Sequence, residues 1–253
     1  MPATTIDLIG PEGTMPCYEA VPDGPIGPRG AVVVLQEAFG VNAHIEDIAR
    51  RFADAGFHAV APHLFHRTGD PALGYDDISL VIPHMTALTD EGILADVRLA
   101  LDHLHGAGFD DQQIGVVGFC MGGRVSFLVT GSENLGAAVG FYGGGIVTGR
   151  SEAMGSLLGL IPTMSTPWLG LFGDADASIP VEDVERLRGE LTARAPVDSG
   201  IVRYAEAEHG FHCLAIQGAF ARHRRSQLQQ VVGGPRVAIR IHRDLFQQLM
   251  RGG

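Results

Sequence analysis

Gly118-Phe119-Cys120-Met121-Gly122-Gly123 sets one nucleophilic side chain among small residues at the junction of an apolar run and a helix-forming stretch. Such a spacing has a mechanical cause. A nucleophile raised above a sheet on a sharp turn leaves no room for bulky neighbours, and glycines on both flanks relieve the collision. The same turn sets Cys120 at a helix N-terminus, where free backbone N–H groups favour a thiolate and can hold a developing oxyanion. Two further groups follow in order, Gly173-Asp174-Ala175-Asp176 and His209-Gly210-Phe211. A thiol can attack an acyl carbon, an imidazole can move its proton, and a carboxylate can hold the imidazole in the required tautomer. We therefore take Cys120 as nucleophile, His209 as proton carrier and Asp176 as its orienting acid. Asp174 is read as organising its turn through local backbone bonds.

The elements that must position these groups follow a repeated pattern of a short buried-type run, a turn and an amphipathic stretch, as in a parallel sheet covered by helices. Strands are expected at 31–35, 57–61, 113–119, 137–141, 168–172 and 201–204. Helices are expected at about 44–55, from Asp90 to near Gly106, from the Cys120 turn to about Val129, at 181–195 and at about 237–250. The 65–82 stretch reads as a loop with short helical pieces, and Gly143-Gly144-Gly145 as a bend below the active-site edge. Each of the three chemical groups then falls just beyond the C-terminal end of a strand, the edge where open parallel sheets gather their sites.

Nucleophile, acid, histidine is the chain order of α/β-hydrolases. The chain is similar, more narrowly, to the dienelactone hydrolase family. The resemblance rests on Gln36-Glu37-Ala38-Phe39-Gly40-Val41-Asn42, the Gly118–Gly123 turn with cysteine where most such hydrolases carry serine, Asp176 before Ile179-Pro180, and His209-Gly210-Phe211-His212. It implies a three-layer α/β-hydrolase fold with a mostly parallel central sheet. It implies that Glu37 lies beside the nucleophile and helps generate the thiolate, and that backbone N–H groups of Ala38 and Met121 form an oxyanion hole. It implies hydrolysis of an ester or lactone. The sequence departs from the family where two arginines hold a substrate carboxylate. No arginine lies between Arg67 and Arg98, and Cys213 stands four residues after His209. A thioesterase or acyl transferase could use the same triad, and a thiol-based binder or redox sensor is the reading from another class.

Composition narrows the partners. With 253 residues, 45% of them hydrophobic, we expect one α/β domain over 1–253. A formal charge of -11 argues against nucleic acid, and the short basic run Arg222-His223-Arg224-Arg225 reads as solvated surface. Three cysteines and no secretion signal or bilayer-length apolar run point to a cytoplasmic protein without membrane contact. The expected partner is a small ester or lactone, and the chemistry needs no cofactor and no metal. Paired histidines His63/His66 and His209/His212 lack the supporting carboxylate or cysteine set of a metal site. Oligomeric state is not legible in the sequence.

Overall fold

The computed structural model describes residues 2–11, 13–23 and 28–212. One eight-stranded sheet runs through them in the order β1-β2-β4-β3-β5-β6-β7-β8. Its strands are β1 Ala3–Gly10, β2 Gly13–Ala20, β3 Ala31–Leu35, β4 His58–Pro62, β5 Ile114–Phe119, β6 Ala137–Phe141, β7 Trp168–Gly173 and β8 Ser199–Tyr204. From β4 to β8 all neighbours are parallel, while β1 and β2 add an antiparallel hairpin at one edge. The central strands β3 to β6 are buried along their whole length, which is why they read as unbroken apolar runs rather than alternating ones.

The helices are α1 Ala43–Asp54, α2 Ile82–Thr86, α3 Asp90–Gly106, α4 Met121–Thr130 and α5 Val181–Arg194. Asn42 starts α1 by accepting from the backbone N–H groups of His44 and Ile45, at 3.1 and 3.3 Å. Thr89 caps α3 in the same way on Gly92. Ile93, Val97, Ala100, Leu101 and Leu104 form the apolar stripe that buries α3. Right-handed crossovers carry the chain leftward from β3 through α1 and rightward through α3, α4 and α5, so α1 covers one face and the other three the opposite face.

The order of strands fixes where a site can form. The chain leaves β3 for one side of the sheet and leaves β5 for the other, so a crevice opens between their C-terminal ends. Gln36 to Asn42 and the Cys120 turn border that crevice.

The expected strands and helices between Ala31 and Tyr204 agree with these elements to within two residues at each end. The β1–β2 hairpin was not expected. β1 is mostly exposed, with Ile9 85% accessible, and lacks the buried run that marks the inner strands. The 65–82 stretch does carry only short helical turns, 66–68 and 78–81, leading into α2. The expected helix near 237–250, Cys213 and the basic run at Arg222 lie outside the described residues. Among the described residues no helix is long and apolar enough to cross a membrane.

Candidate active site

Cys120 sits between β5 and α4 with φ 53° and ψ -110°, a conformation that costs a non-glycine residue about 1–3 kcal/mol. The surroundings enforce it. Its N–H donates to the Phe141 carbonyl at 3.0 Å, and the Gly122 N–H donates to the Gln36 carbonyl at 3.0 Å, locking the turn to the ends of β6 and β3. A Cβ at Gly118 would run into the Gly122 carbonyl, and one at Gly122 into the Leu35 carbonyl, so neither position admits a side chain. Cys120 is half-buried and lines the cleft. Met121 is the first residue of α4, so its N–H has no intrahelical acceptor, and Ala38 follows β3 across the crevice.

His209 lies beyond β8 and turns its Nδ1 to Asp176 Oδ2 at 2.7 Å. Asp176 follows β7, and its carboxylate is nearly fully buried, 1% accessible. Ser178 completes the arrangement. Its N–H and hydroxyl donate to Asp176 Oδ1 at 2.8 and 2.6 Å, and its Oγ lies 3.2 Å from His209 Nδ1. Burial raises the Asp176 carboxyl, but the bonds from His209 and Ser178 outweigh it and hold the group below the usual carboxylate range. Burial likewise disfavours the charged form of His209. Its interactions with Asp176, and after that with Cys120, prevail and bring the imidazole up to about 10. The ring is thus held at Nδ1 by the buried carboxylate, and both His209 and Cys120 line the same cleft.

Glu37 is buried, 1% accessible, directly after β3. Its Oε2 accepts from the Tyr75 hydroxyl at 2.7 Å and its Oε1 from the Tyr142 hydroxyl at 3.2 Å. Asn42 Nδ2 in turn donates to the Tyr75 oxygen at 3.4 Å. Tyr142 takes a positive φ of 40° at the end of β6, and its ring meets that of His209 edge-on at 5.0 Å between centroids. Tyr142 therefore links the Glu37 carboxylate to the imidazole. Asp174 stands apart from this set. It accepts from Arg203 Nε at 2.6 Å, an ion pair with β8 rather than a purely local turn contact.

A cleft of about 810 Å³ opens above Cys120 and His209, within the usual range for small-molecule sites. Its apolar wall comes from Ile78, Val81, Ile82 and Met85, and Met154 faces it from the loop after β6. Arg150 and Ser151 of that loop also line the cleft. The glycine bend at 143–145 was expected below the active-site edge. It follows the C-terminal end of β6 and leads into Arg150, Ser151 and Met154, which line the cleft. Arg124 of α4 is fully buried and reaches out to this loop. Its guanidinium binds the Asp90 carboxylate at 2.5 and 3.0 Å and the carbonyls of Gly145 and Gly155 at 3.2 and 2.6 Å, pinning both ends of the loop.

Tyr75, Ser178 and Arg150 escaped the sequence reading. Nothing in the weakly periodic 65–82 stretch marks Tyr75. Ser178, two residues from Asp176, carried a usable signal, because a serine at that spacing can bond the carboxylate that precedes it. His63 and His66 pair with Asp70 and Asp96, and Asp96 is also held by Arg67.

An eight-stranded, mostly parallel sheet with a strained cysteine after β5, an acid after β7 and a histidine after β8 defines an α/β-hydrolase. The chain matches the model of the dienelactone hydrolase family over residues 15–232 and belongs to that family. It is 38% identical over 219 residues, 83% of this chain and 78% of the relative, to a "Putative carboxymethylenebutenolidase" of Yersinia pestis. Among solved structures it resembles a "Putative Dienelactone Hydrolase" of Klebsiella pneumoniae, at 35% identity and a TM-score of 0.76, covering 83% of this chain and 88% of the other. A dienelactone hydrolase-like promiscuous phosphotriesterase from metagenomic libraries is 25% identical with a TM-score of 0.68, over 83% of this chain and 84% of the other.

Proposed function

We propose that this protein hydrolyses a carboxylic ester or lactone in two steps through a thioester on Cys120. The observation that carries the reading is the His209 ring, bonded through Nδ1 to the buried Asp176 carboxylate and lining the same cleft as Cys120. In this reading the thiol proton resides on His209, and the sulfur attacks the acyl carbon as an anion. The negative charge that develops on the carbonyl oxygen is taken by the N–H groups of Ala38 and Met121, which flank the crevice from β3 and α4. His209 then gives its proton to the departing alkoxide. A water, deprotonated by the now neutral imidazole, attacks the thioester and releases the acid and the thiol.

Glu37 acts here as a positioning residue. Both of its oxygens accept from phenol hydroxyls, and in this reading the imidazole takes the thiol proton. Glu37 instead holds Tyr142 against His209.

The names carried by the relatives agree with an ester or lactone substrate. The wall formed by Ile78, Val81, Ile82 and Met85 suits an apolar acyl or alcohol portion, and among the described residues Arg150 is the one arginine that lines the cleft. The test is a panel of small lactones, aryl esters and thioesters given to the native protein and to Cys120→Ala. The variant should fold and lose at least about 10³-fold in rate on every substrate that the native protein turns over. An undiminished rate would overturn the assignment. Product analysis in the presence of a competing alcohol or thiol separates hydrolysis from acyl transfer.

A further inference from the structure

At the opposite edge of the sheet, Glu19, His58 and His103 converge on one point. Glu19 comes from β2, His58 is the first residue of β4, and His103 lies in the last turn of α3. His58 is level with Ala31 and Ile114, the first residues of β3 and β5. Cys120 follows the far end of β5, roughly 20 Å away along the strand. This cluster therefore plays no part in the proposed hydrolysis.

Both imidazoles point Nε2 at the same carboxylate oxygen. His58 Nε2 lies 2.8 Å and His103 Nε2 2.7 Å from Glu19 Oε1. The three ligand atoms all fall within 4.8 Å of one another. The rings of His58 and His103 stand almost perpendicular, at 85° with centroids 6.1 Å apart, and Phe109 packs edge-on against His58 at 5.7 Å. The side chains are 17% (Glu19), 9% (His58) and 29% (His103) accessible, so the cluster is sheltered yet open on the His103 side.

We propose that Glu19, His58 and His103 form a binding site for a divalent transition-metal ion of the zinc class, with water as the fourth ligand. Two imidazole nitrogens and one carboxylate oxygen are a donor set that suits such an ion. Ligand atoms about 2.0–2.1 Å from a tetrahedral ion stand about 3.3 Å apart. The two separations from the Glu19 oxygen, 2.8 and 2.7 Å, need to open by only about half an ångström. Each imidazole offers its Nε2 lone pair and carries its proton on Nδ1. The setting favours a cation twice over, because His103 lies in the last turn of a helix, where the dipole is negative, and because the chain is strongly acidic. The ion would tie β2, β4 and α3 together, so its role is to hold the fold and not to react.

The experiment is a titration of chelator-stripped protein with Co²⁺, followed by visible absorption, and with Zn²⁺, followed by thermal unfolding. The native chain should bind one Co²⁺ with the intense bands of a four-coordinate ion, and Zn²⁺ should raise the unfolding midpoint with concentration. His103→Gln and Glu19→Gln should each weaken binding at least about 100-fold, since loss even of an outer partner of a metal ligand costs 10- to 100-fold. His103 is the most accessible of the three, and unchanged esterase activity of His103→Gln shows that the variant is folded. Cys120→Ala should bind Co²⁺ as the native chain does. The proposal is overturned if no band or midpoint shift develops at millimolar ion, if His103→Gln binds as tightly as the native chain, or if Cys120→Ala abolishes binding. The last result would move the ion to the catalytic thiol. Esterase assays of the same samples read the hydrolase proposal separately.

Discussion

Asp176→Asn tests the proposed catalytic geometry at its most buried point. The carboxylate accepts three hydrogen bonds, two from Ser178 at Oδ1 and one from His209 Nδ1 at Oδ2, at 2.6 to 2.8 Å. In the amide, the oxygen is retained by the two Ser178 donors, and the NH₂ group takes the place of Oδ2. A donor then faces Nδ1, so the imidazole must carry its proton on Nε2, on the side of the sulfur, and cannot accept the thiol proton. The loss of a charge-assisted bond accounts for about 1.5–3 kcal/mol. The wrong tautomer adds to it, bringing the expected fall in kcat to roughly 10³- to 10⁴-fold, or about 4–5.5 kcal/mol of barrier. Volume and the Ser178 bonds are preserved, so the variant should fold, but with a lowered unfolding midpoint at neutral pH because His209 loses the carboxylate that raises it. The assay is steady-state hydrolysis of an aryl ester, with circular dichroism to verify the fold. A folded Asp176→Asn protein within about threefold of the native rate would refute the argument that His209 needs this carboxylate.

Two further outcomes follow from the same geometry. His209 is raised from 6.5 to about 10, so the folded protein holds a proton that the unfolded chain releases between those values. Stability from this group is complete below about pH 6.5 and is lost as pH rises through about 10. Chemical denaturation across that window should show the decline, the alkaline limb of kcat/KM should fall near pH 10, and a limb near 6.5 would contradict the bracing of the ring by the buried Asp176 carboxylate. Arg124→Met should destabilise the protein by about 3–5 kcal/mol in urea unfolding, because it strands the Asp90 carboxylate and two carbonyls. A loss under about 1 kcal/mol would show that the loop after β6 does not depend on this contact.

The inner strands and the order of chemical groups were legible in the sequence because each leaves a local mark. Fully buried strands such as Ala31–Leu35 read as apolar runs, and the glycines around Cys120 mark a turn that admits no side chains. The β1–β2 hairpin left no such mark, since an exposed edge strand buries too little to pattern its residues. Partners brought together across the fold were the hardest to read. Tyr75 lies 38 residues and Tyr142 105 residues from the Glu37 that they bind. Glu19, His58 and His103 are equally scattered, whereas the histidine pairs that are close in sequence, His63 and His66, each turn to a separate carboxylate. The wall role of the 143–155 loop depends on a buried arginine whose target is set by tertiary packing alone.

The cleft is assembled from two kinds of material. Its floor consists of short turns bolted to strand ends, while Ile78, Val81, Ile82 and Met85 belong to a single excursion between β4 and α3. Ile78 and Ile82 are 67% and 59% accessible, so much of their surface leans on nothing. Exchanging those positions can therefore retune which molecules fit without touching the machinery beneath, which makes that excursion the natural place to randomise a library aimed at new specificity.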